Sequence, residues 1–220
     1  MKACLLSIAL CNTLVLAADD DNLVKNAGFE EVSGTTPKFW KVRQSVDAKP
    51  GMQHDTSIKA ACVGEAKQNG KLGLRLTNFK KRNKHAKFST FSLDSSAIDV
   101  DPAKTYVLTG KVRPTGVKKA DPPILDGRGV FVEIKVCGCD EKGDEICGLG
   151  FVPVHDAGDG WLTHEAVILP EMWKGWQQDA RKLGKKLSSI KVTVSVVVNE
   201  ESPGVIDVDD LYFGVKEPLK

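Results

Sequence analysis

Apolar and polar side chains alternate strictly in short segments along most of this chain, and that alternation constrains the fold more than any other feature. In 130–136, Val130, Val132, Ile134 and Val136 point one way, and Phe131, Glu133 and Lys135 the other. Residues 190–198 set Ile190, Val192, Val194, Val196 and Val198 against Lys191, Thr193 and Ser195. Leu72, Leu74 and Leu76 alternate with Lys71, Gly73 and Arg75; Tyr106, Leu108 and Val112 are set against Thr109, Lys111 and Arg113. A period of two gives a half-buried strand one dry side and one wet side, whereas a helix of this sequence would mix the two. Further strands are expected at 38–42, 88–93, 149–154, 162–169 and 205–215. About ten short strands separated by Gly, Pro and Asp predict an all-β fold, a two-sheet antiparallel sandwich.

One stretch, 170–188, departs from that period. Met172, Trp176, Ala180, Leu183 and Leu187 recur at helical spacing. They predict one short amphipathic helix near 171–187, laid on the sandwich, although Gly175 and Gly184 each weaken it by ~1 kcal/mol relative to Ala. Trp176 falls on the apolar stripe and is expected in the core. Trp173 lies off it and is a candidate for stacking a ligand.

Residues 1–17, MKACLLSIALCNTLVLA, have a lysine, an interrupted apolar run and small residues ahead of Ala18. That is the layout of a secretory signal peptide, too short to span a bilayer. The expected protein is exported, extracellular or periplasmic, and monomeric. With no Pro/Gly/Ser-rich linker and no repeat, residues 18–220 are expected to form one domain. Lys and Arg number 31 against 29 Asp and Glu, a balance that argues against nucleic acid as the main partner. No later apolar run approaches the ~20 residues of a membrane-spanning helix. At 41% hydrophobic, the chain carries enough apolar surface for a real core.

Beyond the leader, Cys62, Cys137, Cys139 and Cys147 remain. Four cysteines in an exported chain predict two disulfides, with three pairings open. If Lys142 and Gly143 form a hairpin tip, Cys139 and Cys147 face each other, and Cys62 would then take Cys137. Zinc is the alternative, but C-x-C-x7-C lacks the paired CxxC spacing of thiolate sites. The histidines, His54, His85, His155 and His164, form no HExxH, and there is no GxSxG. No catalytic residue is assigned.

Six blocks carry a resemblance. They are NLVKNAGFEE (22–31), PKFW ending at Trp40, NGKLGLRL (69–76), IDVDPAKTYVLTGKVRP (98–114), a lone Trp161 opening a strand, and VIDVDDLYF (205–213). In this order they resemble carbohydrate-binding modules of the family 4/9 type, from Asn22 to Val215. The resemblance implies a jelly roll similar to galactose-binding domains, a polysaccharide or glycan as partner, and a structural calcium ion. Its matching positions are the Glu30 carboxylate, the Gly28 and Lys71 carbonyls, and the Asp209 carboxylate. Asp207 and Asp210 are rivals to Asp209, one register step or two away. Phe29, Trp40 and Trp161 are expected in the core.

The non-core side of the central strands offers Arg75, Thr109, Lys111, Arg113, Phe131, Glu133 and Lys135. Four cations among them suit carboxylate or sulfate groups, with arginine making paired bonds. An acidic or sulfated polysaccharide is therefore the expected ligand, and the basic run at 80–87 would extend that surface. The expected function is a secreted, non-catalytic carbohydrate-binding module. The alternatives are an extracellular or envelope protein-interaction sandwich without a sugar site, and a small glycan-active hydrolase or lyase.

Overall fold

The computed structural model describes residues 21–43, 52–54, 57–80, 88–118, 129–151 and 160–216. The leader at 1–17, His85, His155, the strand expected at 152–154 and all but Lys80 of the basic run lie outside the described residues. The first half of the chain supplies β1 (Val32–Ser33), β2 (Thr36–Pro37), β3 (Trp40–Val42), β4 (Met52–His54), β5 (Lys59–Val63), β6 (Gly73–Phe79) and β7 (Phe88–Ser95). The second supplies β8 (Tyr106–Thr115), β9 (Val130–Cys139), β10 (Glu145–Phe151), β11 (Leu162–Ile168), α1 (Pro170–Lys182), β12 (Ser189–Val198) and β13 (Ser202–Val215).

These strands form the expected two-sheet sandwich. One sheet runs β10-β9-β12-β7-β3, with β4 added in parallel to β7, and the other runs β11-β8-β13-β6-β5. Every other pairing is antiparallel. The alternation decides which side is dry. Val132, Ile134 and Val136 on β9 and Val192, Val194 and Val196 on β12 fill one inner face. Leu74, Leu76, Leu108, Val112, Ile206 and Val208 fill the other, within one continuous core. Phe29 and Trp40 join that core with ring centroids 5.3 Å apart. The short strand β5, KAACV, escapes a pattern reading because Ala60 and Ala61 differ too little to mark inside from outside.

The expected disulfides do not form: Cys62, Cys137, Cys139 and Cys147 are all free thiols. Cys62 is buried on β5 in the five-stranded sheet. Cys137 belongs to the six-stranded sheet, on its outer side beside Thr193. With facing sheets about 10 Å apart, those two cannot bridge. A bulge separates the other pair. Glu145 stands opposite Cys139, but the register shifts and Cys147 then meets Gly138 instead of Cys137. One extra residue turns a strand's side chains to the opposite face. Cys147 therefore points inward, its Sγ 2.8 Å from where a Cβ on Gly138 would stand, while Cys139 points outward.

The helix is shorter than its apolar spacing suggests. Gly184 adopts φ +66°, the Lys185 N–H donates to the Ala180 carbonyl (2.9 Å), and the Gly184 N–H donates to Arg181 (3.0 Å). This glycine-capped ending stops the helix before Leu183 can join the stripe, and Leu183 is left 62% exposed. The buried stripe is Trp173, Trp176 and Ala180. Trp173 is thus not an exposed stacking surface: it is 1% exposed. Its ring packs edge-on against Tyr106 and Trp176, at 5.9 and 4.9 Å.

Candidate functional site

The seven residues expected on one wet face divide between two. Arg75, Lys111 and Arg113, with Thr109, point outward from the five-stranded sheet. Phe131, Glu133 and Lys135 point outward from the six-stranded sheet, on the other side of the core. They cannot form one surface. The cause is topological: β8 and β9 are consecutive in sequence but belong to different sheets, which alternation alone does not reveal.

On the five-stranded sheet, three neighbouring strands align Arg75, Asp207 and Arg113 in register. Asp207 is fully buried. It accepts two bonds from Arg75 (Nε 2.7 Å, Nη2 3.0 Å) and two from Arg113 (Nη2 2.7 Å, Nε 3.3 Å). Bonding to Asp207 raises the Arg75 pKa further. Two guanidinium groups share this one carboxylate; the Glu65 charge also acts on Arg75, and the Arg113 Nη2 donates to the Glu65 carbonyl (2.6 Å). One row further on, Lys111 pairs with Asp210 at 2.8 Å.

Trp161 belongs to this face and not to the core where it was expected. Leu162 pairs with Val112 in the β8–β11 ladder, so Trp161 continues the ladder beside Arg113. The Arg113 Cζ lies 4.8 Å from its ring centroid, a cation–π contact. Tyr212 pairs with Thr109 on the same side, just beyond a bulge at Asp210, where φ is +49°. Both aromatic residues are half-buried. The parity was readable: in Trp161-Leu162-Thr163-His164-Glu165, the tryptophan shares its side with Thr163 and Glu165.

The outer side of the six-stranded sheet is a closed network. Arg43 donates to both Asp94 oxygens (2.8 Å each), to Glu145 (2.8 Å) and to the Thr193 hydroxyl oxygen (3.1 Å). Lys135 bridges Glu145 (2.7 Å) and Glu133 (3.1 Å). Burial works against the charges of Arg43 and Lys135, but the carboxylates outweigh it and both pKa values are raised. Burial works equally against Glu145, and its two cations outweigh it, so that carboxyl is lowered. Phe131 points outward here yet is only 6% exposed. Sequence reasoning missed Arg43 altogether, because it lies one residue past the end of β3.

Of the residues matched to calcium, Gly28, Glu30 and Asp209 are near neighbours, and Lys71 joins Glu30 through its N–H. Of the three candidate carboxylates, Asp209 is the one beside Gly28: a Cβ there would sit 3.8 Å from its Oδ1 and 3.9 Å from the Glu30 Cγ. Asp209 Oδ2 accepts the Gln68 and Asn69 N–H groups (2.7 and 3.1 Å). Glu30 Oε1 accepts those of Lys71 and Leu72 (2.7 and 3.1 Å). Asp207 is held by its arginines, and Asp210 by Lys111 and Asn69. Burial raises the Asp209 pKa, and among the described residues no lysine or arginine pairs with Asp209 or Glu30. Among them, too, no three His, Cys, Asp or Glu side chains gather as a metal-binding group. A cation here would need backbone carbonyls in its shell, as calcium accepts.

No protein-family model matches the sequence, and no curated protein matches it. Solved structures do. The enzymatically active domain of bacteriophage CBA120 tailspike protein 4 is similar at 11% identity with a TM-score of 0.50, over 89% of this chain and 21% of that one. This chain thus spans about a fifth of the length of that solved domain. The module TmCBM61, solved with β-1,4-galactotriose, is similar at 14% identity and TM-score 0.46, over 89% and 99% of the two chains. The CBM22-1 xylan-binding domain of Paenibacillus barcinonensis Xyn10C gives 12% and 0.44, over 88% and 94%. These likenesses concern the fold alone. No helix among the described residues is long and apolar enough to cross a membrane.

Proposed function

We propose that this chain is an exported, non-catalytic carbohydrate-binding module of the family 4/9 type. In this reading it holds an acidic polysaccharide on the outer face of its five-stranded sheet. The observation that carries the reading is the half-buried Trp161 in cation–π contact with Arg113, in the row of Arg75 and Arg113 and one row from Lys111. A sugar ring needs an apolar platform and a planar donor beside it, and Trp161 with Arg113 offers both. The paired donors of two neighbouring guanidinium groups favour a uronate or sulfate over a neutral sugar. Support also comes from the six sequence blocks and their order.

Calcium is part of the proposal as a structural ion. Glu30 and Asp209 would hold it with carbonyls of the Gly28 and Lys71 segments, and the ion would tie the first turn to the last strand. The buried, cation-free carboxylate of Asp209 fits that role.

Titration calorimetry against polygalacturonate, alginate, heparan sulfate and neutral xylan tests the ligand. Binding to acidic polymers, abolished in both Trp161→Ala and Arg113→Ala, is expected; silence on every acidic polymer would overturn the reading. Chelation should lower the melting temperature and added calcium restore it. No response to saturating chelator would remove the ion from the proposal.

A further inference from the structure

We infer that Asn69 is a site of spontaneous modification: its side-chain amide is lost to water without an enzyme, and the carboxylate that replaces it loosens the bend at 68–71 from β13. No other asparagine in the chain precedes a glycine, and that neighbour sets the chemistry. The Gly70 nitrogen bonds to the Asn69 Cγ and closes a five-membered imide. The Cγ–Nδ2 bond breaks, and the amide leaves as ammonia with the proton given up by the Gly70 N–H. Water then opens the imide at one of its two carbonyls. One opening gives aspartate at 69; the other gives isoaspartate, with the backbone rerouted through the side chain. Water is the only co-reactant. Glycine favours the step because it has no side chain to crowd the attacking nitrogen.

Three observations assign the reaction to this bend. Asn69 and Gly70 are both exposed, so water reaches the imide. Among the described residues, the Gly70 N–H has no acceptor. The N–H groups of Gln68 and Asn69 go to Asp209, those of Lys71 and Leu72 go to Glu30, and the one between them is left over. Finally, the glycine is not exchangeable: its φ is +63°, and a Cβ there would run into the Glu30 carboxylate. The fold therefore requires the residue that leaves Asn69 open to attack.

One contact opposes the reaction. Asn69 Nδ2 donates to Asp210 Oδ2, the oxygen that also accepts from Lys111. The departing amide has to give up this bond, so Asp210 acts as a brake. Once the amide is gone, a carboxylate faces Asp210 where a donor stood, with Asp209 alongside. Attraction becomes like-charge repulsion.

The test is peptide mapping of the full chain, held in warm neutral buffer and sampled over several weeks. Trypsin cuts after Lys67 and Lys71 and releases residues 68–71, in which aspartate and isoaspartate should progressively replace Asn69. Asn26 and Asn78 also adopt positive φ but precede Ala27 and Phe79, and should stay intact. Asp210→Ser should speed the loss about fivefold, the net worth of one hydrogen bond. Lys111→Ala, which disturbs the same carboxylate without freeing the amide, should leave the rate unchanged. Asn69→Asp, the product made directly, should melt about 3 °C below the wild type. An Asn69 amide that persists in the folded chain while a synthetic peptide of residues 66–74 converts would overturn the inference. So would equal rates in the wild type and Asp210→Ser, or an Asn69→Asp variant that melts with the wild type.

Discussion

The two outer faces of this sandwich carry similar charged groups and use them differently. On the six-stranded sheet, Arg43, Lys135 and Lys191 meet Asp94, Glu133 and Glu145 within 4.0 Å. Three cations and three anions cancel in a connected network. On the five-stranded sheet, Asp207 serves two arginines at once, and an indole lies on one of them. The first arrangement spends its charge on itself. The second sets its arginine pair beside an aromatic platform. Strand alternation counts both as wet faces, so only the pairing pattern separates a structural network from a candidate site.

The sharpest way to break the comparison is to remove the central carboxylate from each face. Asp207→Ala strands two part-buried guanidinium groups, and breaking such a pair costs about 3–5 kcal/mol. Asp94→Ala should cost less, about 2–3 kcal/mol, because Arg43 keeps Glu145 as a charged partner. Urea unfolding of both variants measures the difference. Equal losses, or a larger one for Asp94→Ala, would mean that the two faces are built alike.

Acid titration separates the faces next. The folded state holds the Glu145 carboxyl below its ordinary value. Its contribution is therefore complete above the unfolded carboxylate range, near pH ~4.3, and is lost as pH falls through the lowered folded value. Glu145→Gln should cost about 1–3 kcal/mol at pH 7 and flatten the acid limb of a melting-temperature profile. A variant that tracks the wild-type slope below pH 5 would remove Glu145 from the network.

Trp161→Ala should do much less to stability. The ring is half-buried and its contact with Arg113 is worth ~0.5–1 kcal/mol. Its expected effect on acidic-polysaccharide affinity is at least tenfold. A stability loss above about 3 kcal/mol would return Trp161 to the core, where the sequence blocks had suggested it belonged.

The dry side of the fold was the legible part. Val, Ile and Leu recurring at alternate positions of β6, β8, β9, β12 and β13 declare the core directly, because burial on one face leaves no choice of register. Three things were not legible, each for a physical reason. Sheet membership was hidden: β8 and β9 follow each other in the chain but belong to different sheets, and nothing local in either strand records that. Arg43 was hidden because its partners, Asp94 and Glu145, are 51 and 102 residues away. The β10 bulge was hidden because one extra residue leaves the composition of 137–147 unchanged while it reverses Cys147. The calcium-matched cluster lay between these extremes. Its blocks were visible, and the register that sets Asp209 beside Gly28 was not.

The thiols provide the smallest expected effect and the cleanest contrast with a disulfide-bonded sandwich. Loss of a native disulfide typically costs 2–5 kcal/mol; this chain should lose nothing to reductant, and its melting temperature should agree within about 1 °C with and without dithiothreitol. Burial pushes the thiol of Cys62 up to about 11 and that of Cys147 up to about 12. Each therefore stays protonated and slow to alkylate at neutral pH. Since folding raises these pKa values above the ordinary ~8.5, their contribution to stability is complete below pH ~8.5 and declines as pH rises toward 11–12. A melting profile flat from pH 6 to 8 and falling above 9, with reductant making no difference, is the expected outcome. A fall of several degrees on reduction would restore the disulfides, and with them a different path for the bulged hairpin at 137–147.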